Sequence, residues 1–415
     1  MRERDVIYDW NVEGHAISRP MRRVEVHDET LRDGIQCPSV RDPDIERKYT
    51  IVRLLEQVGV DTIDVGLPGA GPRAVEDSRR IIQMIRDEKL NIRPACAGRT
   101  HPNDIRPIIE LAEQIGVPIE VMMFLGSSPI RMYAEGWDDA RLESLTRSAV
   151  KMTKDAGIPA TFVTEDTTRS HPRTLRRLLT AAVEEGATRL VLCDTVGHTT
   201  PNGVFNLVHW VQDLLVGLGV RDAVKIDWHG HNDRGHALPN TLYAIEAGCD
   251  RVHGTVLGIG ERVGNTALDQ ILVNMKLIGV EKHDLQALTS LVQEVSSACD
   301  VPIPYNYPVF GVDAFRTGTG VHAAAVIKAY RKGDNWLSDR VYSGVPASWF
   351  GRKQEIEIGH QSGESNIRHW LTARGLPDTD DLVREIFQRA KTGNALLPEP
   401  VIFAIVDRWR SANAH

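Results

Sequence analysis

His229 and His231 lie two residues apart in Trp228-His229-Gly230-His231-Asn232-Asp233. On an extended strand such residues project from one face, because side chains alternate with a period of two. Two imidazoles on one face can grip a single metal ion. A His-x-His pair joined by one carboxylate suits a first-row divalent ion that keeps positions open for substrate, and a divalent ion so held can polarise a carbonyl. Asp33 is the candidate carboxylate and Asn265 a candidate fourth ligand, with Mg²⁺, Mn²⁺ or Zn²⁺ as the expected ion. An isolated HxH is most simply two ordinary histidines. This pair closes a strand beside Asn232-Asp233, and an Asp follows the first strand, which favours the metal.

Positioning those residues takes a particular kind of scaffold. From Val24 onward short β-rich runs alternate with helix-length segments. The expected strands are 24–27, 62–65, 92–97, 119–124, 160–164, 189–193, 225–228 and 251–256. Asp42-Pro43 resembles a helix cap with proline in the first turn, and Ile45, Tyr49, Val52 and Leu55 follow at helical spacing before Gly59 stops the helix. Alternating β and α implies a parallel sheet. Eight such units in about 250 residues fit a closed (β/α)₈ TIM barrel. A doubly wound open sheet would need a glycine-rich phosphate loop after its first strand, and Leu31-Arg32-Asp33-Gly34 is not one.

In such a barrel the chemistry sits at the C-terminal strand ends. Sorting by that rule brings Arg32, Asp33 and Gln36, then Asp64, Glu165, Thr195, His229 and His231, and the stretch from Gly258 to Asn265, to one mouth. Arg32 can place a fixed guanidinium beside developing enolate or alkoxide charge; its alternative is a surface salt bridge. Glu165 can act as acid or base, or orient one, or simply cap the helical stretch after it. Thr195 can bond a substrate carboxylate or cap the next helix. Gly258 and Gly260 are expected to let backbone approach a bulky ligand; the strand–loop–helix unit of a dinucleotide site is missing around them.

The chain has 415 residues, 42% hydrophobic and 25% charged, with net charge −7. That suits a large barrel plus a smaller domain, and the acidic balance argues against general nucleic-acid binding. No apolar run approaches the roughly eighteen residues of a membrane span, and residues 1–20 lack the apolar core of a secretory signal. Five scattered cysteines without a CxxC point to reduced thiols and a cytoplasmic setting. Beyond Asn274 the alternation stops. An amphipathic helix over 285–298 and a linker holding Pro302, Pro304 and Pro308 precede helical patterns near 314–330, 364–374, 379–391 and 400–410. The expected organisation is an N-terminal extension (1–20), a catalytic barrel (21–280) and a helical accessory region (281–415).

Three segments carry a family resemblance. His27-Asp28-Glu29-Thr30-Leu31-Arg32-Asp33-Gly34-Ile35-Gln36 resembles the D-x-T-L-R-D-G-x-Q signature of the 2-isopropylmalate and homocitrate synthases. The run from His229 to Gly235 is similar to their H-C-H-N-D-x-G motif, and Gly254 to Asn265 to G-T-x-x-G-x-G-E-R-x-G-N. Ala314-Phe315 and Gly320-Val321-His322-Ala323 extend the likeness over about residues 21–375. The resemblance implies a Claisen-type condensation of acetyl-CoA with a 2-oxo acid, followed by thioester hydrolysis. It implies Asp33, His229 and His231 as metal ligands with Asn265 close by, Arg32 as the group steadying the alkoxide, and Glu165 and Thr195 as active-site residues. It further implies that His322, a candidate base for the acetyl proton, and Tyr342 come from the accessory region, often of the neighbouring subunit of a homodimer.

This chain departs from that pattern at Met122-Met123 on the fourth strand, where a His-Thr pair is frequent. It also departs at Val163, where Ser is common, at Asp64 in place of Glu, and at Thr317 in place of His. Met122 and Val163 imply an apolar pocket, and so an aliphatic or aryl 2-oxo acid such as 2-oxoisovalerate. The competing expectations are a homocitrate- or citramalate-type condensation with another 2-oxo acid, a Claisen or aldol-type lyase on the same barrel, and a non-catalytic barrel that binds acyl-CoA or metal.

Overall fold

The computed structural model describes residues 6–11, 23–280 and 283–413; the expected N-terminal extension lies largely outside them. The chain forms two compact units, Met1–His283 with Ser290–Val301 and Asp284–Thr289 with Pro302–His415.

The first unit is a closed barrel of eight parallel strands: β1 (Glu25–Asp28), β2 (Thr62–Asp64), β3 (Arg93–Arg99), β4 (Glu120–Gly126), β5 (Ala160–Glu165), β6 (Arg189–Asp194), β7 (Lys225–Gly230) and β8 (Arg251–Gly254). β1 closes the ring on β8 with Glu25 opposite Arg251 and His27 opposite His253. Between and after the strands run α1 (Ile45–Gln57), α2 (Pro72–Asp87), α3 (Pro102–Ile115), α4 (Pro129–Glu135), α5 (Asp139–Asp155), α6 (Pro172–Glu185), α7 (Pro201–Gly217), α8 (Ala237–Ala247) and α9 (Leu268–Leu277). This is the barrel expected from the alternation, with each strand within a few residues of its expected bounds. Helix α1 is capped by Asp44, which accepts from the Arg47 amide at 3.0 Å. Asp42, expected as the cap, instead pairs with Lys48 and Arg73.

Polar side chains fill the barrel's lower half. Arg251 is fully buried and donates to Asp227 at 2.7 Å and to Glu120 at 2.6 and 2.8 Å. Arg189 bridges Asp227 and Glu25. Such buried charges persist only when paired and hydrogen-bonded.

Helix α10 (Leu288–Cys299) belongs to the first unit from Ser290 on. The second unit contains α11 (Gly320–Arg331), α12 (Asn335–Arg340), α13 (Glu364–Thr372), α14 (Asp380–Lys391) and α15 (Glu399–Ala412). Ile367, Trp370 and Leu371 of α13 pack with Leu382, Val383 and Ile386 of α14 and Ile402, Ile405 and Val406 of α15. The helix expected over 314–330 begins only at Gly320. The residues before it form β9 (Arg316–Thr317), which pairs in parallel with β10 (Glu355–Ile356), a long-range pairing that local periodicity does not reveal.

Candidate metal-binding active site

The turn after β1 delivers Arg32 and Asp33 to the barrel mouth. The Arg32 and Gly34 amides both donate to the Glu29 carbonyl, at 3.2 and 3.0 Å. Thr30 donates to Asp28 from its hydroxyl (2.6 Å) and its amide (3.0 Å), and its Oγ1 accepts from the Val256 amide at 2.9 Å, which ties the turn to the β8 loop. A Cβ at Gly34 would lie 2.9 Å from Ile259 Cγ1, so only glycine lets that loop lie against the turn. Burial pushes the Asp28 carboxyl up to about 7.

His229 is the penultimate residue of β7, and His231, just past its end, forms a bridge with Asn265. The Thr266 and Asn232 amides, donating to the Gly230 and Gly264 carbonyls at 3.0 Å each, hold the two segments together. The ligating atoms of Asp33, His229 and His231 lie within 4.8 Å of one another, all three residues buried. Asp33 Oδ2 stands 3.8 Å from His229 Nε2 and 3.6 Å from His231 Nε2, too far for hydrogen bonds. Asp33 Oδ2, His231 Nδ1 and Asn265 Oδ1 are buried without a hydrogen-bond partner. Leaving such atoms unmatched is costly, and a cation beside Asp33 relieves that cost for its Oδ2, with His231 Nε2 3.6 Å away. Two imidazoles, a carboxylate and an amide oxygen suit Zn²⁺, Mn²⁺ or Mg²⁺. Burial and the neighbouring His229 lower His231 to about 4, so it is unprotonated, as a ligand must be. Burial opposes charge on His229, but the Glu29 carboxylate outweighs it and raises that group.

Arg32 is no surface residue: its side chain is 17% exposed. It donates Nε to Asp64 at 2.8 Å and Nη2 to Glu29 at 2.9 Å, and Nη1 lies 3.2 Å from Asp33. Asp64, expected among the substrate contacts, is fully buried behind Arg32 and lies outside the lining of the mouth cavity. Its part is to hold the guanidinium. Burial, against the pull of Arg32, raises it to about 6.

Glu165 ends β5, and burial raises its pKa against the opposing charge of Arg131, whose Nε is 3.5 Å away. It caps no helix, since Asp166 holds that position in the following turn. Thr195 Oγ1 accepts from the Asp166 amide at 2.8 Å and does not cap α7, which Thr200 precedes.

These groups surround a cavity of about 300 Å³. Arg32, Asp33, Gln36, Glu165, Thr195, His229 and His231 line it with polar atoms; Met122, Phe124, Val163 and Val191 form an apolar wall. Gly258 and Gly260 are absent from the lining, contrary to the expectation that they meet a ligand. Gly260 (φ 152°) instead makes room for Asn265: a Cβ there would stand 2.2 Å from Asn265 Nδ2. Glu29, His253 and Phe124 line the cavity and were not expected there. Glu29 directly follows β1, two positions after His27, so the period-two argument applied to the HxH pair also reaches it. His322 and Tyr342 belong to the second unit, both exposed, with ring centroids 4.5 Å apart.

Residues 23–295 match the HMGL-like family model. The chain is 32% identical over 373 residues to a "Probable 2-isopropylmalate synthase" of Methanopyrus kandleri, covering 89% of this chain and 69% of that one. It is 32% identical over 372 residues to a homocitrate synthase of Pyrococcus abyssi, covering 88% and 94%. Among solved structures it is similar to the HMG-CoA lyase of Bacillus subtilis, with TM-score 0.55 and 21% identity over 68% of this chain and 95% of that one. At that identity the likeness speaks for the fold alone.

Proposed function

The chain belongs to the HMGL-like family, and from that premise we propose that it condenses acetyl-CoA with a 2-oxo acid, 2-oxoisovalerate being the best fit, to give 2-isopropylmalate. The observation that carries this reading is the grouping of Asp33, His229 and His231 beside Arg32, with an apolar wall facing them across one cavity. The sequence likeness to 2-isopropylmalate and homocitrate synthases supports the reaction class.

Asp33, His229, His231 and Asn265 would hold the ion, which when bound supplies Lewis acidity toward the ketone. The guanidinium of Arg32, fixed by two carboxylates, stabilises the negative charge that grows on the ketone oxygen as the new C–C bond forms. A base removes a proton from the acetyl methyl, an acid too weak to ionise unaided. His322 is the candidate base, with Tyr342 beside it, supplied by the neighbouring copy of a homodimer. Glu165, whose raised pKa suits proton transfer, returns a proton to the alkoxide. Thr195 and Gln36 bond the substrate carboxylate, and Met122 and Val163 enclose its side chain. Water then cleaves the thioester and releases CoA. In this reading residues 21–280 are the catalytic barrel, residues 281–415 its accessory region, and the enzyme is cytoplasmic.

The deciding experiment follows thiol release from acetyl-CoA across a panel of 2-oxo acids with Mg²⁺, Mn²⁺ or Zn²⁺ and again with chelator. Turnover with a branched aliphatic oxo acid that chelator abolishes is the expected result. Best turnover with 2-oxoglutarate or pyruvate assigns a homocitrate- or citramalate-type reaction. Acyl-CoA formed from a hydroxy-acyl-CoA assigns a lyase. Acyl-CoA binding without consumption of any oxo acid, undisturbed by His229→Ala, assigns a binding barrel.

A further inference from the structure

We propose that Glu29 is a positioning residue of this site, one buried carboxylate that sets His229 and Arg32 together. The inference rests on the reading of Asp33, His229 and His231 as metal ligands. The Glu29 side chain is 2% exposed. Its Oε2 lies 2.7 Å from His229 Nδ1, and its Oε1 lies 2.9 Å from Arg32 Nη2 and 3.2 Å from His253 Nδ1, with His27 Nε2 at 3.8 Å.

As placed, the His229 ring is out of line for a hydrogen bond and Glu29 Oε2 has no such partner, but Nδ1 stands 2.7 Å from it. An ionised carboxylate only accepts hydrogen bonds, so a small turn of the ring lets His229 meet Glu29 as an Nδ1–H donor. That choice of tautomer leaves the Nε2 lone pair on the side of Asp33, 3.8 Å from its Oδ2. A ligating histidine is oriented in just this way when its second nitrogen is held by a carboxylate. The other oxygen of the same group fixes one arm of Arg32, whose Nε is fixed by Asp64. The ion's ligand and the guanidinium therefore share an anchor, and their spacing is set before substrate arrives.

The anchor is itself backed by protein rather than water. His253 Nε2 stands 3.1 Å from Asp227 Oδ2, which accepts from Arg251 Nε at 2.7 Å. Glutamine at position 29 would keep the size but carry one acceptor and one NH₂ group. Whichever way the amide turned, its NH₂ would face either His229 Nδ1–H or the Arg32 fork, a donor against a donor.

The test titrates full-length wild type, Glu29→Gln and Glu29→Asp with Co²⁺, read by its visible ligand-field bands, and with Mn²⁺ by calorimetry. For the Glu29→Gln variant the expected results are a 10- to 100-fold loss of ion affinity, an altered Co²⁺ band and a kcat that falls more than KM rises. Glu29→Asp, charged but one methylene short, is expected to lose less. In wild type loaded with Zn²⁺, ¹⁵N NMR of the histidine rings is expected to show His229 protonated at Nδ1, a measurement that stands even if a variant fails to fold. Wild type that binds one ion and a Glu29→Gln variant that binds it equally well, with the same spectrum, overturns this inference alone. So does a His229 that carries no proton on Nδ1. A second ion bound by wild type and lost from Glu29→Gln makes Glu29 a ligand and overturns it too. Wild type that binds no ion overturns the metal reading beneath it.

Discussion

Arg32 Nε donates to Asp64 Oδ2 over 2.8 Å, and Asp64 has no exposed surface. The pairing turns a flexible side chain into a fixed fork, because Glu29 takes a second arm and Asp33 lies 3.2 Å from the third nitrogen. A lysine keeps the charge but reproduces one contact at most. Arg32→Lys is therefore expected to lower kcat by about a hundredfold or more while the variant folds, which steady-state thiol release and a thermal melt together check. Near-native turnover would remove Arg32 from the mechanism.

Ion removal gives a second expectation. A ligand that binds only the folded state stabilises it by about 2.7 kcal/mol at a hundred times its Kd. The melting temperature of wild type should rise by a few degrees from chelator to excess Mn²⁺ or Zn²⁺. In Asp33→Asn and Asn265→Ala that rise should shrink, since each loses an oxygen that is buried and unmatched in the present structure. An equal rise in both variants would place the ion elsewhere.

The sequence made the barrel and much of its mouth legible because both obey short-range rules. His229 and His231 follow the two-residue alternation of a strand, and the eight β–α units suit a closed barrel, the open sheet being set aside by the absence of a glycine-rich loop after the first strand. What escaped depends on distant partners. Asp64 reads as a mouth residue by its place at a strand end, yet Arg32, thirty-two positions earlier, covers it. Gly258 and Gly260 read as ligand-facing, yet the close neighbours are Asn265 and the loop's own backbone. Arg316-Thr317 reads as helix until its partner strand, Glu355-Ile356, is in place. Thr195 and Glu165 each had an equally good capping role, and only the positions of Asp166 and Thr200 removed it.

The barrel's buried charges predict a pH dependence. Burial disfavours ionised Glu120, but Arg251 outweighs it and lowers the group to about 2 from 4.5. A carboxyl so depressed adds stability above its unfolded pKa and loses it as the pH falls toward about 2, a contribution on the order of 3 kcal/mol. Asp227, also held low by Arg251 and Arg189, acts in the same direction. Urea midpoints should therefore fall from pH 5 to pH 2.5. Arg251→Met, which leaves both carboxylates without their main partner, should cost roughly 3–5 kcal/mol at pH 7. Its gap from wild type should narrow on acidification, as protonation removes the uncompensated charge. A gap independent of pH would show that Arg251 acts through packing alone.

The apolar wall predicts the order of substrates. Met122, Phe124, Val163 and Val191 face a cavity of about 300 Å³, and an apolar pocket discriminates by roughly 1–3 kcal/mol per methylene. In wild type kcat/KM should rise from pyruvate through 2-oxobutyrate to 2-oxoisovalerate by about 10- to 200-fold per well-filled methylene at most. Val163→Ser should flatten that ladder, because a hydroxyl on the wall costs desolvation that a smaller oxo acid leaves unpaid. Phe124→Ala should move the optimum toward a longer or aryl side chain by opening the wall where it meets Glu165. The acidic 2-oxoglutarate should remain the poorest of the panel, since no cationic side chain on that wall answers its second carboxylate. A wild-type preference for 2-oxoglutarate would mean that the side chain of the substrate points away from Met122 and Val163, and the choice of an aliphatic oxo acid would fall with it.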